Sequence, residues 1–154
     1  MKELWLGASI EKARCVFLLP NRPILPGVND ELTVATYDVA ALIDLNGNHW
    51  RKIFTIIAKL VVPTYSNWRE FRNNNLLNEV GIVFSIDQIK DYEGVVYVIG
   101  NTFRDVFPIS ALAKVLGDRH LAYVSLPYIW SPYLDYRQFP NILIESLREY
   151  TLEK

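Results

Sequence analysis

Apolar residues along this chain gather into a few dense runs separated by short polar stretches. Cys15–Leu19 holds five in a row without polar alternation and stops at Pro20. An unbroken run of this length, closed by a residue that cannot donate to a ladder, suits a strand covered on both faces. Pro20 and Pro23 hold Asn21 and Arg22 in a stiff turn at its end. Val80–Ile86, Val95–Ile99 and His120–Leu126 repeat the pattern and predict three further strands. Between the first two runs the period changes. Ile53, Phe54, Ile56, Ile57, Leu60 and Val61 fall at helical spacing, predicting a helix over Trp50–Val62 with Asn48 as N-cap and Pro63 as stop.

Weaker signals fill the gaps. Met1–Ile10 reads as a short outer helix, Ile24–Thr33 as a loop, and Tyr37–Leu45 as a helix ended by Asn46-Gly47. Ser66 or Asn67 caps a helix from Trp68 to about Leu77. Asn101-Thr102 opens a helical piece, a second surrounds Ile109–Leu116, and Pro127–Arg137 reads as an aromatic-rich loop. Pro140 starts a terminal helix, Asn141–Leu152, with Ile142, Leu143, Ile144 and Leu147 as its buried stripe. Apolar strands joined by helices imply an α/β fold: one domain over residues 1–154, with a mainly parallel four-stranded sheet and helices on both faces. A pocket is then expected at the strand C-termini, near Asn21, Gly100-Asn101 and the Pro127–Arg137 loop.

Composition narrows the chemistry. The chain is 154 residues long, 51% hydrophobic and 13% aromatic, enough for a packed core and incompatible with disorder. A net charge of -1 supplies no overall basic field, leaving local patches as the route to nucleic acid. Cys15 is the single cysteine and lies in an apolar run, so it reads as an inert core thiol. One cysteine excludes a disulfide framework and cysteine-built zinc or iron–sulfur centres. His49 and His120 are far apart, with no carboxylate at ligand spacing, so no metal site and no cofactor are expected. No apolar tract is long enough to span a bilayer, and a soluble, cytoplasmic protein with no membrane partner is expected.

Several local motifs stand in a suggestive order. Leu19-Pro20-Asn21-Arg22-Pro23 ends the first strand, and Asn48-His49-Trp50-Arg51-Lys52 opens the long helix. Leu76-Leu77 precedes Gly81-Ile82, Val96–Gly100-Asn101 is followed by Val106-Phe107, and Ser131-Pro132-Tyr133-Leu134-Asp135-Tyr136-Arg137 precedes the terminal helix. Together they resemble the mismatch-specific uracil/thymine branch of the uracil-DNA glycosylase superfamily in divergent form. Trp50–Leu60 and Pro132–Gln138 are also similar to an uncharacterised bacterial protein family with no assigned activity. The glycosylase resemblance implies a three-layer α/β/α sandwich of strand order 2-1-3-4. It implies a DNA-repair hydrolase that excises uracil or a related base. Asn21 would orient the attacking water, while Arg22, Asn101, Ser131, Tyr133, Leu134 and Arg137 would meet the DNA.

The sequence departs from that family where it matters. Both glycines of the first motif are absent, Ser131 replaces an asparagine or histidine, and Ile24–Gly47, which would carry the base-stacking aromatic such as Tyr37, is longer. Asn21 therefore keeps a second reading as a turn residue, Asn101 as an N-cap and Arg137 as a surface ion-pair partner. Arg51, Lys52, Arg69 and Arg72 form either a DNA-facing patch or a solvated helix face. The alternative function is a non-catalytic module that binds nucleic acid or a protein through the cleft at the strand C-termini.

Overall fold

The computed structural model describes residues 4–25 and 38–152. The Cys15–Leu19 run forms strand β2 (Cys15–Leu18), every residue of which is buried. It pairs in parallel with β3 (Val80–Val83) on one side and β4 (Val95–Ile99) on the other. β4 pairs in parallel with β7 (Tyr128–Ser131). Antiparallel strands extend both ends: β1 (Leu6–Gly7) against β3, and β6 (Leu121–Ser125) against β7 with β5 (Lys114–Gly117) outermost. The sheet is thus seven-stranded and mixed, in the order β1-β3-β2-β4-β7-β6-β5.

The α-helices among the described residues are α1 (Val39–Asn46), α2 (Asn48–Val61), α3 (Trp68–Asn74), α4 (Leu76–Glu79) and α5 (Asn141–Leu152). All five contribute to one core, with Cys15, Phe17, Ile82, Tyr97 and Ile129 from the sheet. Phe17 and Tyr97 stack there at 4.4 Å between ring centroids. The opposite face, carrying Val16, Leu18, Val83, Val96, Val98 and Trp130, is covered by Ile86, Ile89, Tyr92, Phe103, Phe107 and Ile109. Trp130 Nε1 donates to the carbonyl of Phe107 at 3.0 Å, which fastens that covering segment.

This topology overturns the expected four-stranded glycosylase-like sandwich with helices on both faces, and the fold-dependent label of a DNA-repair hydrolase falls with it. The differences are local and physical. Pro127 does not open a long loop. Leu126-Pro127, joined by a cis peptide bond, forms a two-residue turn that sends the chain straight back as β7. His120–Leu126 therefore supplies an antiparallel strand, and the fourth parallel strand comes from the segment read as loop. The helical pieces expected after Asn101 and around Ile109–Leu116 are turns and β5. Phe103 and Phe107 are drawn onto the sheet, and Lys114–Gly117 satisfies its backbone against β6. The expected outer helix at Met1–Ile10 contains β1 instead, and Ile142 is exposed while Leu143, Ile144 and Leu147 are buried.

The elements legible in the sequence sit close to their expected bounds. α2 ends as Pro63 requires, and Gly47, with φ of +78°, separates it from α1 in a conformation that favours glycine. Arg148 of α5 closes the other end of α2, its Nη1 donating to the carbonyls of Lys59 and Val62 at 2.9 and 2.6 Å. These are carbonyls that a helix terminus leaves without intrahelical partners. No helix among the described residues is long and apolar enough to cross a membrane, and no group of three or more His, Cys, Asp or Glu residues among them could hold a metal.

Two expectations follow for stability. Arg148→Met keeps the aliphatic stem but strands those carbonyls, and should cost about 1–3 kcal/mol in chemical denaturation. An unchanged denaturation midpoint would refute the capping role. The second concerns alkali. Burial pushes the Cys15 thiol up from 9.0 to about 12, Arg14 offsetting a little. Burial, aided by Cys15, raises the Tyr92 phenol from 10.0 to about 12. The unfolded chain releases these protons at the ordinary values while the folded chain retains them. Stability should be intact below about pH 9 and decline towards pH 12. Urea melts across that range should show the decline, and Tyr92→Phe should make it shallower above pH 10.

Candidate functional site

β2, β4 and β7 run parallel and end at the same edge of the sheet, where Pro20, Gly100 and Pro132 follow them. A parallel sheet presents its strand ends to ligands at this edge. A cavity of about 400 Å³ opens there, a size suited to a small organic ligand. Its walls come from three places. Pro20 stands at the end of β2. Gly100, Asn101, Thr102 and Arg104 follow β4, and Pro132, Tyr133 and Gln138 follow β7. Arg119 and His120, in the turn into β6, and Leu121 and Tyr123 of β6 close the rim. Two guanidinium groups and an imidazole thus share a lining that, among the described residues, contains no carboxylate.

Arg104 is held in place by its neighbours. Its guanidinium carbon lies 5.7 Å from the centre of the Tyr123 ring, and Nη2 makes a long, 3.5 Å contact with the carbonyl of Ser131. That carbonyl already accepts from the Gly100 backbone at 2.9 Å. Nε of Arg104 is buried and has no hydrogen-bond partner among the described residues, a costly arrangement for a buried donor.

Beside the cavity, three side chains from distant parts of the chain form one hydrogen-bonded line. Tyr133 Oη donates to Asn21 Oδ1 at 2.7 Å and lies 2.7 Å from His49 Nε2. Tyr133 is half-buried, and desolvation raises its phenol pKa, with Asp135 adding to the rise and the Asn21 bond opposing it. The phenol is therefore protonated at neutral pH. Its single proton goes to Asn21, so Oη accepts from His49 Nε2. The His49 and Tyr133 rings lie 5.7 Å apart.

The residues singled out from the sequence are only partly gathered here. Asn101 and Tyr133 line the cavity. Asn21 does not; its amide oxygen is engaged by Tyr133, so it braces the wall from behind. Ser131 is buried, with its hydroxyl donating to the Pro132 carbonyl at 2.9 Å. Leu134 is fully buried in the helical core, so it cannot wedge into a base stack as expected. Arg22 and Arg137 are exposed and outside the cavity lining, and the Arg137 backbone N–H is bonded to Asp135. Tyr37, the expected stacking aromatic, lies outside the described residues.

Sequence reasoning passed over Arg104, Arg119, His120 and the role of His49. Arg104 carried one usable signal, its place four residues after a buried strand ends at Gly100. Arg119 and His120 carried none, because their approach depends on β6 folding back beside β7. Tyr133→Phe should detach both partners of the phenol. The expected results are a loss of about 0.5–1.5 kcal/mol in stability and a shift of the His49 ring nitrogens in NMR spectra. Unchanged ring-nitrogen shifts would show that the line does not form in solution.

A family model described as a family of unknown function (DUF6942) matches residues 5–152, and the chain belongs to that family. No curated protein and no solved structure matches it.

Proposed function

We propose that this member of a family of unknown function is a binding protein whose cleft at the strand C-termini takes a phosphate-bearing ligand of nucleotide size. The observation that carries the reading is the pairing of Arg104 and Arg119 in a lining that, among the described residues, contains no carboxylate. Phosphate oxygens suit a guanidinium fork, which offers paired donors in a plane. Arg119 adds a second cation, while Asn101 and Thr102 add polar groups next to Gly100. Tyr123 and Tyr133 provide aromatic walls for the uncharged part of the ligand. Asn21 and His49 contribute indirectly by fixing Tyr133.

The proposed role is one of binding, and the hydrogen-bonded line behind Tyr133 holds that wall of the cleft in position. The ligand could equally be a free nucleotide or a phosphorylated strand end, since both present the same group to Arg104.

Calorimetric titration with adenosine and uridine 5′-monophosphates, inorganic phosphate and the matching uncharged nucleosides tests this directly. Phosphate-bearing compounds should bind, and nucleosides should bind at least roughly tenfold more weakly. Arg104→Gln should weaken binding by roughly 10–100-fold, the scale of one charged hydrogen bond. Arg119→Gln, at an exposed position, should weaken it less without altering stability. Equal binding of nucleosides and nucleotides, or binding by neither, would remove the proposal.

A further inference from the structure

The net charge of -1 hides a segregated distribution. α2 contains Arg51, Lys52 and Lys59 with no acidic residue, and α3 contains Arg69 and Arg72 against the single Glu70. Two ion pairs form among the described residues, Arg14–Glu79 and Lys90–Asp87, and neither involves these five cations. Four of the five gather instead around aromatic rings. Lys59 Nζ and the guanidinium carbons of Arg69 and Arg72 lie 5.0, 4.9 and 5.5 Å from the centre of Trp68. Lys52 Nζ lies 5.5 Å from the centre of Tyr136. Arg72 is partly desolvated, and the nearby charges of Arg69 and Arg51 add to the lowering of its pKa. Its Nη1 donates to the buried Thr55 hydroxyl at 2.9 Å, which holds the cation in place.

We propose that the joined outer faces of α2 and α3 bind the sugar–phosphate backbone of a single-stranded nucleic acid. Like charges held this close repel one another, and a polyanion relieves that repulsion. The stretch from Arg51 to Lys59 spans about 12 Å along α2, room for two or three successive phosphates. Arginine forks pair with phosphate oxygens, and the rims of Trp68 and Tyr136 offer aromatic surface to unstacked bases. The apolar stripe of α2 is used up in the core, so its aliphatic residues are not available to enter a bilayer. It is also separate from the cleft: none of the five cations lines the cavity containing Arg104.

Fluorescence anisotropy with labelled dT15 and rU15 tests this on the full chain. Both oligomers should bind, and a slope of about -2 in log affinity against log salt should follow from three released counterions. Between 50 and 200 mM salt this is a loss of roughly 15-fold. Arg51→Gln/Arg69→Gln, both at exposed positions, should weaken binding roughly tenfold with an unchanged circular dichroism melt, whereas Arg22→Gln, exposed and outside both surfaces, should leave it intact. Arg72→Lys keeps the charge and guards against a folding artefact at Thr55; it should bind nearly as wild type. Binding that depends on Arg119 but not on Arg51 and Arg69 would overturn the proposal. So would stronger binding to phosphatidylserine vesicles, or to a poly-glutamate peptide, than to either oligomer. The nucleotide titrations are read separately, so failure of one surface leaves the other standing.

Discussion

The sheet of this protein is buried on both sides by different kinds of structure, and most other features follow from that. Cys15 and Phe17 point into a core built with five helices, while Val16 and Leu18 point towards turns and irregular chain. Each strand residue therefore needs an apolar partner whichever way it faces, which is why β2, β3 and β4 lack polar alternation. The face of Val16 and Leu18 is covered without α-helices, by a short 3-10 helix over Ile86–Ile89 and by aromatics that are large and fastened. Phe107 meets Tyr128 edge-on at 4.8 Å between centroids and takes the Trp130 indole proton on its carbonyl.

That arrangement also positions the cleft. Parallel pairing brings the ends of β2, β4 and β7 to one edge, and the antiparallel pairing of β6 with β7 brings Arg119 and His120, in the turn before β6, to the same cavity as Arg104. The covering segment after β4 serves twice. Phe103 and Phe107 anchor it to the sheet, and Arg104 between them faces the cavity. On the helical side, α2 turns its apolar stripe inward and leaves its cations outside with those of α3. Packing and charge are thus sorted by the same helical period.

Asn21 shows how a correct local reading can still mislead about role. The sequence places it in a stiff turn at the end of a buried strand, and it stands there. Its side chain nevertheless faces Tyr133, 112 residues away, and not the cavity. Leu134 shows the converse. In the sequence it sits in a polar and aromatic loop, yet the chain returns there to the core and buries it completely. Direction and company are tertiary properties, and neither leaves a mark on the immediate neighbours.

What the chain encodes locally is burial and period. The runs at Cys15–Leu19 and Val95–Ile99, the helical stripe before Pro63 and the terminal helix over Asn141–Leu152 were all legible, because each is long and bounded by a breaker or cap. Short segments of mixed preference were decided elsewhere. Lys114–Gly117 becomes a strand because β6 offers it a ladder, and Tyr128–Ser131 becomes one because β4 has a free edge beside it. Strand direction and the number of strands depend on these pairings, since a strand's backbone is satisfied by a partner remote in sequence, whereas a helix satisfies its own. The same reason governs the sites. Single residues announce their chemistry, but the convergence of Arg104, Arg119 and Tyr133, and of His49 with Asn21, exists only once the sheet has closed.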